Sequence, residues 1–151
     1  HFGVAVFDYG DVYEGAFVDG LRHGHGNFRL ASGQTYEGEF VRSKPHGHGA
    51  ISYPDGSMRQ GAFRNGRPHG PSVFYHGETG QVDIGECEAG EVIGSGVRWS
   101  ASRHRAWYLT DGEVDGPMAL DAAMDVTGQL GLSIPPPLFA FTDIKNGQGG
   151  H

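Results

Sequence analysis

One cysteine, Cys87, cannot form an internal disulfide, so the fold does not depend on oxidation. No apolar run approaches the roughly 18 residues of a membrane-spanning helix, and no N-x-S/T acceptor occurs. These absences point to an intracellular chain, whether cytoplasmic, cytoskeletal, peripheral to a membrane or inside an organelle. The chain opens at His1 without a methionine, which leaves room for a cleaved targeting segment. Basic residues are outnumbered, 11 Lys and Arg against 18 Asp and Glu, for a formal net charge of -7. That balance argues against nucleic acid as a main partner, because phosphate binding needs a basic footprint. It argues equally against attraction to anionic lipid through overall charge, though not against a local basic patch. Catalytic signatures are missing too: the sequence has no G-x-S-x-G elbow, no H-E-x-x-H pair and no C-x-x-C.

What the chain has is glycine, 27 of 151 residues, well above the usual share of about 7%. The glycines follow a period of 23 residues. Tyr13 to Gly33, shifted once, lands on Tyr36 to Gly56; a second shift reaches Arg59, and a third, one residue late, Asp83. Gly15, Gly38, Gly61 and Gly85 head the copies, with Phe17, Phe40, Phe63 and Cys87 two places on. Four copies in register define a repeat protein. Within each copy two short runs alternate in character and end at glycine-containing turns such as Asp19-Gly20, so one repeat reads as one β-hairpin. Glycines inside the strands weaken them unless a bend or a close approach requires them, which a strongly twisted sheet supplies. The expected fold is all-β: an elongated single-sheet meander of antiparallel hairpins advancing roughly 10 Å per repeat.

The cadence Y-E-G-x-F-x-x-G-x-x-x-G-x-G resembles the MORN (membrane occupation and recognition nexus) motif. Residues 13–56 follow it almost position by position, with Ser43 where a glycine is expected. Residues 57–105 depart from it: Arg59 and Asp83 replace the leading tyrosine, Ser72 a glycine and Cys87 the aromatic. Gly112 and Gly116 mark a decayed fifth copy. The resemblance implies a scaffold or membrane-apposed linker in cytoskeletal, ciliary or membrane assemblies, or a regulatory segment beside an enzyme domain.

The array therefore spans 1–116, with a partial repeat at 1–12, repeats at 13–35, 36–58, 59–82 and 83–105, and the decayed copy at 106–116. Opening in mid-hairpin leaves a sheet edge suited to assembly, including pairing with a second copy. Trp99 and Trp107, where the pattern decays, suit a terminal cap. Helical spacing of Leu120, Ala123, Met124, Thr127 and Leu130 predicts a helix over 117–131, with Pro117 in its first turn and Gly131 at its C-terminus. It is expected to lie back on the last hairpin. Residues 132–151 form a proline-rich extended tail carrying Leu138, Phe139 and Phe141.

The aromatic row Tyr13, Phe17, Tyr36, Phe40 and Phe63 is the candidate site, a groove receiving a peptide or helix of a protein partner. The same rings also hold neighbouring hairpins together, and both roles are compatible. Arg22, Arg29, Arg42, Lys44, Arg64 and Arg67 supply the alternative, attachment to phosphoinositide or a membrane surface. His23, His46 and His69 recur at the repeat interval, but a spacing of roughly 10 Å is too wide for shared zinc within one chain. No metal or other cofactor is expected, interchain zinc being the weaker reading. Gly90, Gly94 and Gly96 imitate a dinucleotide fingerprint without the helix that it must open, and belong to the repeat. Cys87 is expected buried rather than reactive. No residue set for catalysis stands out, so the chain reads as non-enzymatic.

Overall fold

The computed structural model describes residues 1–137. Eleven strands form one antiparallel sheet in strict sequence order: β1 (Phe2–Val6), β2 (Val12–Val18), β3 (Leu21–Arg29), β4 (Thr35–Val41), β5 (Lys44–Ser52), β6 (Met58–Arg64), β7 (Arg67–Tyr75), β8 (Val82–Glu88), β9 (Glu91–Trp99), β10 (Ala106–Thr110) and β11 (Glu113–Met118). One helix, α1 (Leu120–Gln129), follows. The single-sheet meander is thus as the 23-residue period predicts.

Each tight tip is a two-residue turn with both residues at positive φ: Asp19-Gly20, Arg42-Ser43, Asn65-Gly66, Ala89-Gly90 and Asp111-Gly112. That turn matches the right-handed twist of the flanking strands. At Arg42-Ser43 no glycine is present, and Ser43 sits at φ 69°. Backbone and side-chain bonds hold it there. Its N–H donates to the Arg22 carbonyl (2.8 Å), its Oγ accepts from the Arg22 N–H (3.2 Å), and its carbonyl accepts from Arg22 Nη2 (3.0 Å).

The strand glycines answer a close approach. Gly15 lies opposite Gly26, and Gly38 opposite Gly49. The Tyr13 ring covers Gly26, so a Cβ there would fall 2.6 Å from Tyr13 Cζ; Gly49 stands in the same relation to Tyr36. Immediately past Gly15, Gly38 and Gly61 the register slips before Phe17, Phe40 and Phe63, a bulge that adds local twist.

Two cores lie on opposite faces of the sheet. Tyr13, Tyr36, Phe40 and Phe63 form one, flanked by Phe17, Phe28 and Ile51. The other joins Val73, Val82, Ile84, Val97, Trp99, Ala106 and Met118 to Ala123 of α1. The helix lies back on the end of the sheet, with Trp99 Nε1 donating to Thr127 Oγ1 at 3.4 Å. Two expectations need correction here. Pro117 is not in the helix but in β11, opposite Trp107, where an edge strand tolerates the missing N–H; α1 begins at Leu120. Trp107 does not share the cap with Trp99, because it pairs in register with Arg98 and so points to the other face. Gly131 does close the helix, at φ 71° with its N–H on the Gly128 carbonyl. Beyond it, Leu132 and Ile134 pack on the second core, and Arg103 Nε holds the Pro135 carbonyl at 3.0 Å. Leu138, Phe139, Phe141 and the rest of the expected tail lie outside the described residues.

Gly26→Ala and Gly49→Ala should each destabilise the protein by about 2 kcal/mol, the cost of overpacking against the tyrosine ring. Elsewhere Gly→Ala at an accessible φ stabilises slightly. Chemical denaturation of Gly26→Ala beside Gly26→Ala/Tyr13→Leu checks this: the smaller, flexible side chain should recover part of the loss.

Candidate functional site

Cross-strand register puts Tyr13, Phe28, Tyr36, Ile51, Arg59, Phe74, Asp83, Arg98 and Trp107 on one face, in one row across the sheet. Beside that row run Phe17, Phe40 and Phe63. The rings interlock edge to face: Tyr13–Phe17 and Tyr13–Phe40 at 5.1 Å, Tyr36–Phe40 at 5.0 Å, and Tyr36–Phe63 at 5.2 Å between centroids. Each phenylalanine of one repeat thus meets the tyrosine of its own hairpin, the tyrosine of the preceding one, or both. Both tyrosine hydroxyls are tied down, Tyr13 to the Ala16 carbonyl and Tyr36 to the Glu39 carbonyl, each at 2.8 Å.

This arrangement changes what the row can offer a ligand. Tyr13 is 0%, Phe40 2%, Phe63 3% and Tyr36 6% exposed, so these rings are a floor rather than a contact surface. Phe17 is half-buried at one end. A depression of about 270 Å³ opens above Tyr36, Phe40 and Phe63, walled by the half-buried Arg22, Phe28, Pro45 and Ile51. Those wall residues are what an approaching segment would touch. They carry a weaker sequence signal, because Phe28 is answered by Ile51 and Phe74, and Arg22 by two prolines, Pro45 and Pro68.

Further along the same face the aromatic row gives way to charge. Asp83 receives Arg98 through two hydrogen bonds, at 2.7 and 2.8 Å, and contacts His76 Nε2 at 2.9 Å. Burial alone would raise the Asp83 pKa, but these bonds outweigh it and hold the carboxyl below its ordinary range. Arg59 Nη1 donates to Ser72 Oγ at 3.3 Å and to Cys87 Sγ at 3.5 Å, while its Cζ lies 5.0 Å from the Phe74 centroid. Together they line a second depression of about 300 Å³. Sequence reasoning missed this cluster, although three simultaneous departures, Arg59, Ser72 and Asp83, marked it. Cys87 is buried and free, in the apolar position expected of it.

The repeating histidines act as latches. Nδ1 of His23, His46 and His69 accepts, at 3.4, 3.4 and 3.5 Å, the backbone N–H of Arg42, Asn65 and Ala89 in the tip of the next repeat. Among the described residues no three His, Cys, Asp or Glu side chains converge as metal ligands. The basic residues separate: Arg22 lies on the aromatic face and Arg29 on the other, while Arg42, Lys44, Arg64 and Arg67 are exposed at two adjacent tips. On the opposite face a depression of about 740 Å³ runs beside the end of α1, with His25, Glu37, His48 and Gln60 along it.

An open sheet of stacked hairpins, each bonded to its neighbours and lacking a convergent catalytic set among the described residues, defines a linear β-repeat array. The sequence pattern of the MORN repeat matches residues 13–35, 36–58 and 60–77, so this part of the chain is built of MORN repeats. No curated protein matches the chain. MORN repeats are generally protein- or membrane-interaction modules, and the family is generally non-catalytic.

Burial, together with the nearby Glu39 carboxylate, pushes the Tyr36 hydroxyl from 10.0 up to about 12, and burial raises Tyr13 despite the Arg22 charge. A folded-state pKa raised in this way gives stability that is complete below pH 10 and is lost as pH rises through about 12. Alkaline unfolding followed by circular dichroism should therefore be shallower in Tyr36→Phe than in the wild type. At neutral pH that variant should be about 1 kcal/mol less stable, from the lost hydrogen bond.

Proposed function

We propose that the protein is a non-enzymatic interaction scaffold that docks a segment of a protein partner across its aromatic face. One observation carries this reading. The apolar residues of the opposite face are covered by α1 where the repeat decays, whereas Phe28, Pro45 and Ile51 line a depression that no described element covers. The floor of that depression is rigid, because the four core rings interlock and both hydroxyls are bonded. A preorganised surface loses little entropy when a partner settles on it. Attachment as a structural subunit of a larger assembly follows from the same surface.

A second reading has its own support. Arg42, Lys44, Arg64 and Arg67 project together from the β4–β5 and β6–β7 tips, a small basic edge on an acidic chain. Such an edge suits contact with an anionic membrane surface.

Because Phe40 and Phe63 are core, alanine there would cost about 3 kcal/mol or more of stability and would report on folding. The docking test instead uses Phe28→Gln/Ile51→Gln. Native pull-down with mass spectrometry should recover a protein with the wild type and lose it with this folded variant; equal recovery by both would reject the aromatic face. Flotation with anionic vesicles at low salt distinguishes the second reading, for which Arg42→Gln/Arg64→Gln should abolish co-flotation.

A further inference from the structure

Among the described residues, two guanidiniums on the aromatic face have no carboxylate in direct contact. Arg22 Cζ lies 4.6 Å from the Phe28 centroid, and its one side-chain bond among the described residues goes to the Ser43 carbonyl. Arg59 lies over Phe74 and, among the described residues, bonds to Ser72 Oγ and Cys87 Sγ, neither of them a carboxylate. Phe28 and Phe74 hold the same position in repeats two apart, so the two cations are placed alike. Each lines its own depression, Arg22 the one of about 270 Å³ and Arg59 the one of about 300 Å³. The one guanidinium–carboxylate pair among the described residues is Arg98 with Asp83, so Arg22 and Arg59 have no direct ion pair, and Asp11 reaches Arg22 only through space.

The carboxylates have gone elsewhere. Glu14 and Glu37 share the register of Asn27, Glu39 that of His25 and Glu86 that of Pro71, all on the opposite face. In a chain of net charge -7, the aromatic face is therefore the cationic one, with Arg22, Arg59 and Arg98 against Asp83 alone among its strand residues. A half-buried guanidinium is partly desolvated, and a carboxylate matching its planar fork recovers that loss through paired, charge-assisted hydrogen bonds.

We infer that the docked segment carries two carboxylate side chains bracketing an apolar stretch, one seated on Arg22 and the other on Arg59. The apolar residues between them lie over Ile51 and the Tyr36–Phe63 floor. Phe28 on β3 and Phe74 on β7 are four strand spacings apart, about 19 Å, which corresponds to acidic residues about six positions apart in an extended segment. This specifies the ligand of the docking reading above and rests on it.

Selection of a random dodecapeptide display library on the intact immobilised chain tests both, and separately. Enriched peptides should carry two Asp or Glu about six positions apart around apolar residues. Affinity of a synthetic winner should fall about tenfold or more in Arg22→Gln and in Arg59→Gln, and should weaken as salt rises. Where Arg22→Gln loses the fold by circular dichroism, Arg22→Lys replaces it and should still weaken binding, since lysine lacks the fork. Enrichment of apolar peptides without paired acids, or affinities indifferent to both arginines, overturns the carboxylate assignment and leaves the docking reading standing. No enrichment above a blank surface rejects the docking reading and the inference with it.

Discussion

The packing of the N-terminal half of this protein follows from the hydroxyl end of a tyrosine ring lying over a glycine on the neighbouring strand. A single sheet has no second layer to bury its side chains against, so the apolar surface must be buried within the thickness of one layer. Removing the Cβ at Gly26 and Gly49 opens the required space, and the Tyr13 and Tyr36 rings fill it. Phe40 then wedges edge-on between Tyr13 and Tyr36, and Phe63 closes the stack edge-on against Tyr36. Sequence, local geometry and packing are here one constraint: tyrosine needs the glycine, and the glycine is tolerable only because the ring covers it. Along the tips, the His23, His46 and His69 latches and the backbone bonds Ser43 to Arg22, Gly66 to Pro45 and Gly90 to Pro68 repeat the same link between copies. Nearest-neighbour terms of this kind are how a repeat array holds together.

The C-terminal half solves the problem on the other face. Once Arg59 replaces the tyrosine, the glycine is released and Ser72 takes its place, now an acceptor for the arginine that displaced the ring. The aromatic stack ends at Phe63, and Asp83 with Arg98 and His76 occupies the continuation. Stability passes to Val73, Val82, Ile84, Val97 and Trp99, which lie on the opposite face and are covered by α1. The helix is thus the replacement for the stack, and it appears where the stack has failed.

This handover explains which parts could be read from the sequence. The hairpins, their order and their tips were legible because a turn at positive φ and a ring over a glycine each leave a fixed residue at a fixed interval. Ser43 shows the limit, since its left-handed backbone is held by bonds to Arg22, twenty-one residues away, that no local pattern reveals. The aromatic row was legible as a row but not as a floor, because alternation assigns a residue to a face without saying how deep its ring lies. The helix was legible, but not its start, because Pro117 is equally acceptable in a first turn and on a sheet edge. The Arg59–Ser72–Asp83 departures read as decay of the repeat. Their coordination appears only once cross-strand register brings them together.

That coordination bears on function. Positions committed to the stack cannot vary without collapsing the space between ring and glycine, so they carry no freedom to choose a partner. The freedom lies at Arg22, whose counterparts are prolines, and at Arg59, where the ring has already gone. Both arginines accept partial burial without a direct carboxylate pair among the described residues; burial lowers the Arg22 pKa, and the nearby charges of Tyr13, Tyr9 and Asp11 offset that only in part. Their placement beside two depressions, on the face from which the strand carboxylates are otherwise nearly absent, leaves part of each guanidinium's bonding capacity facing outward.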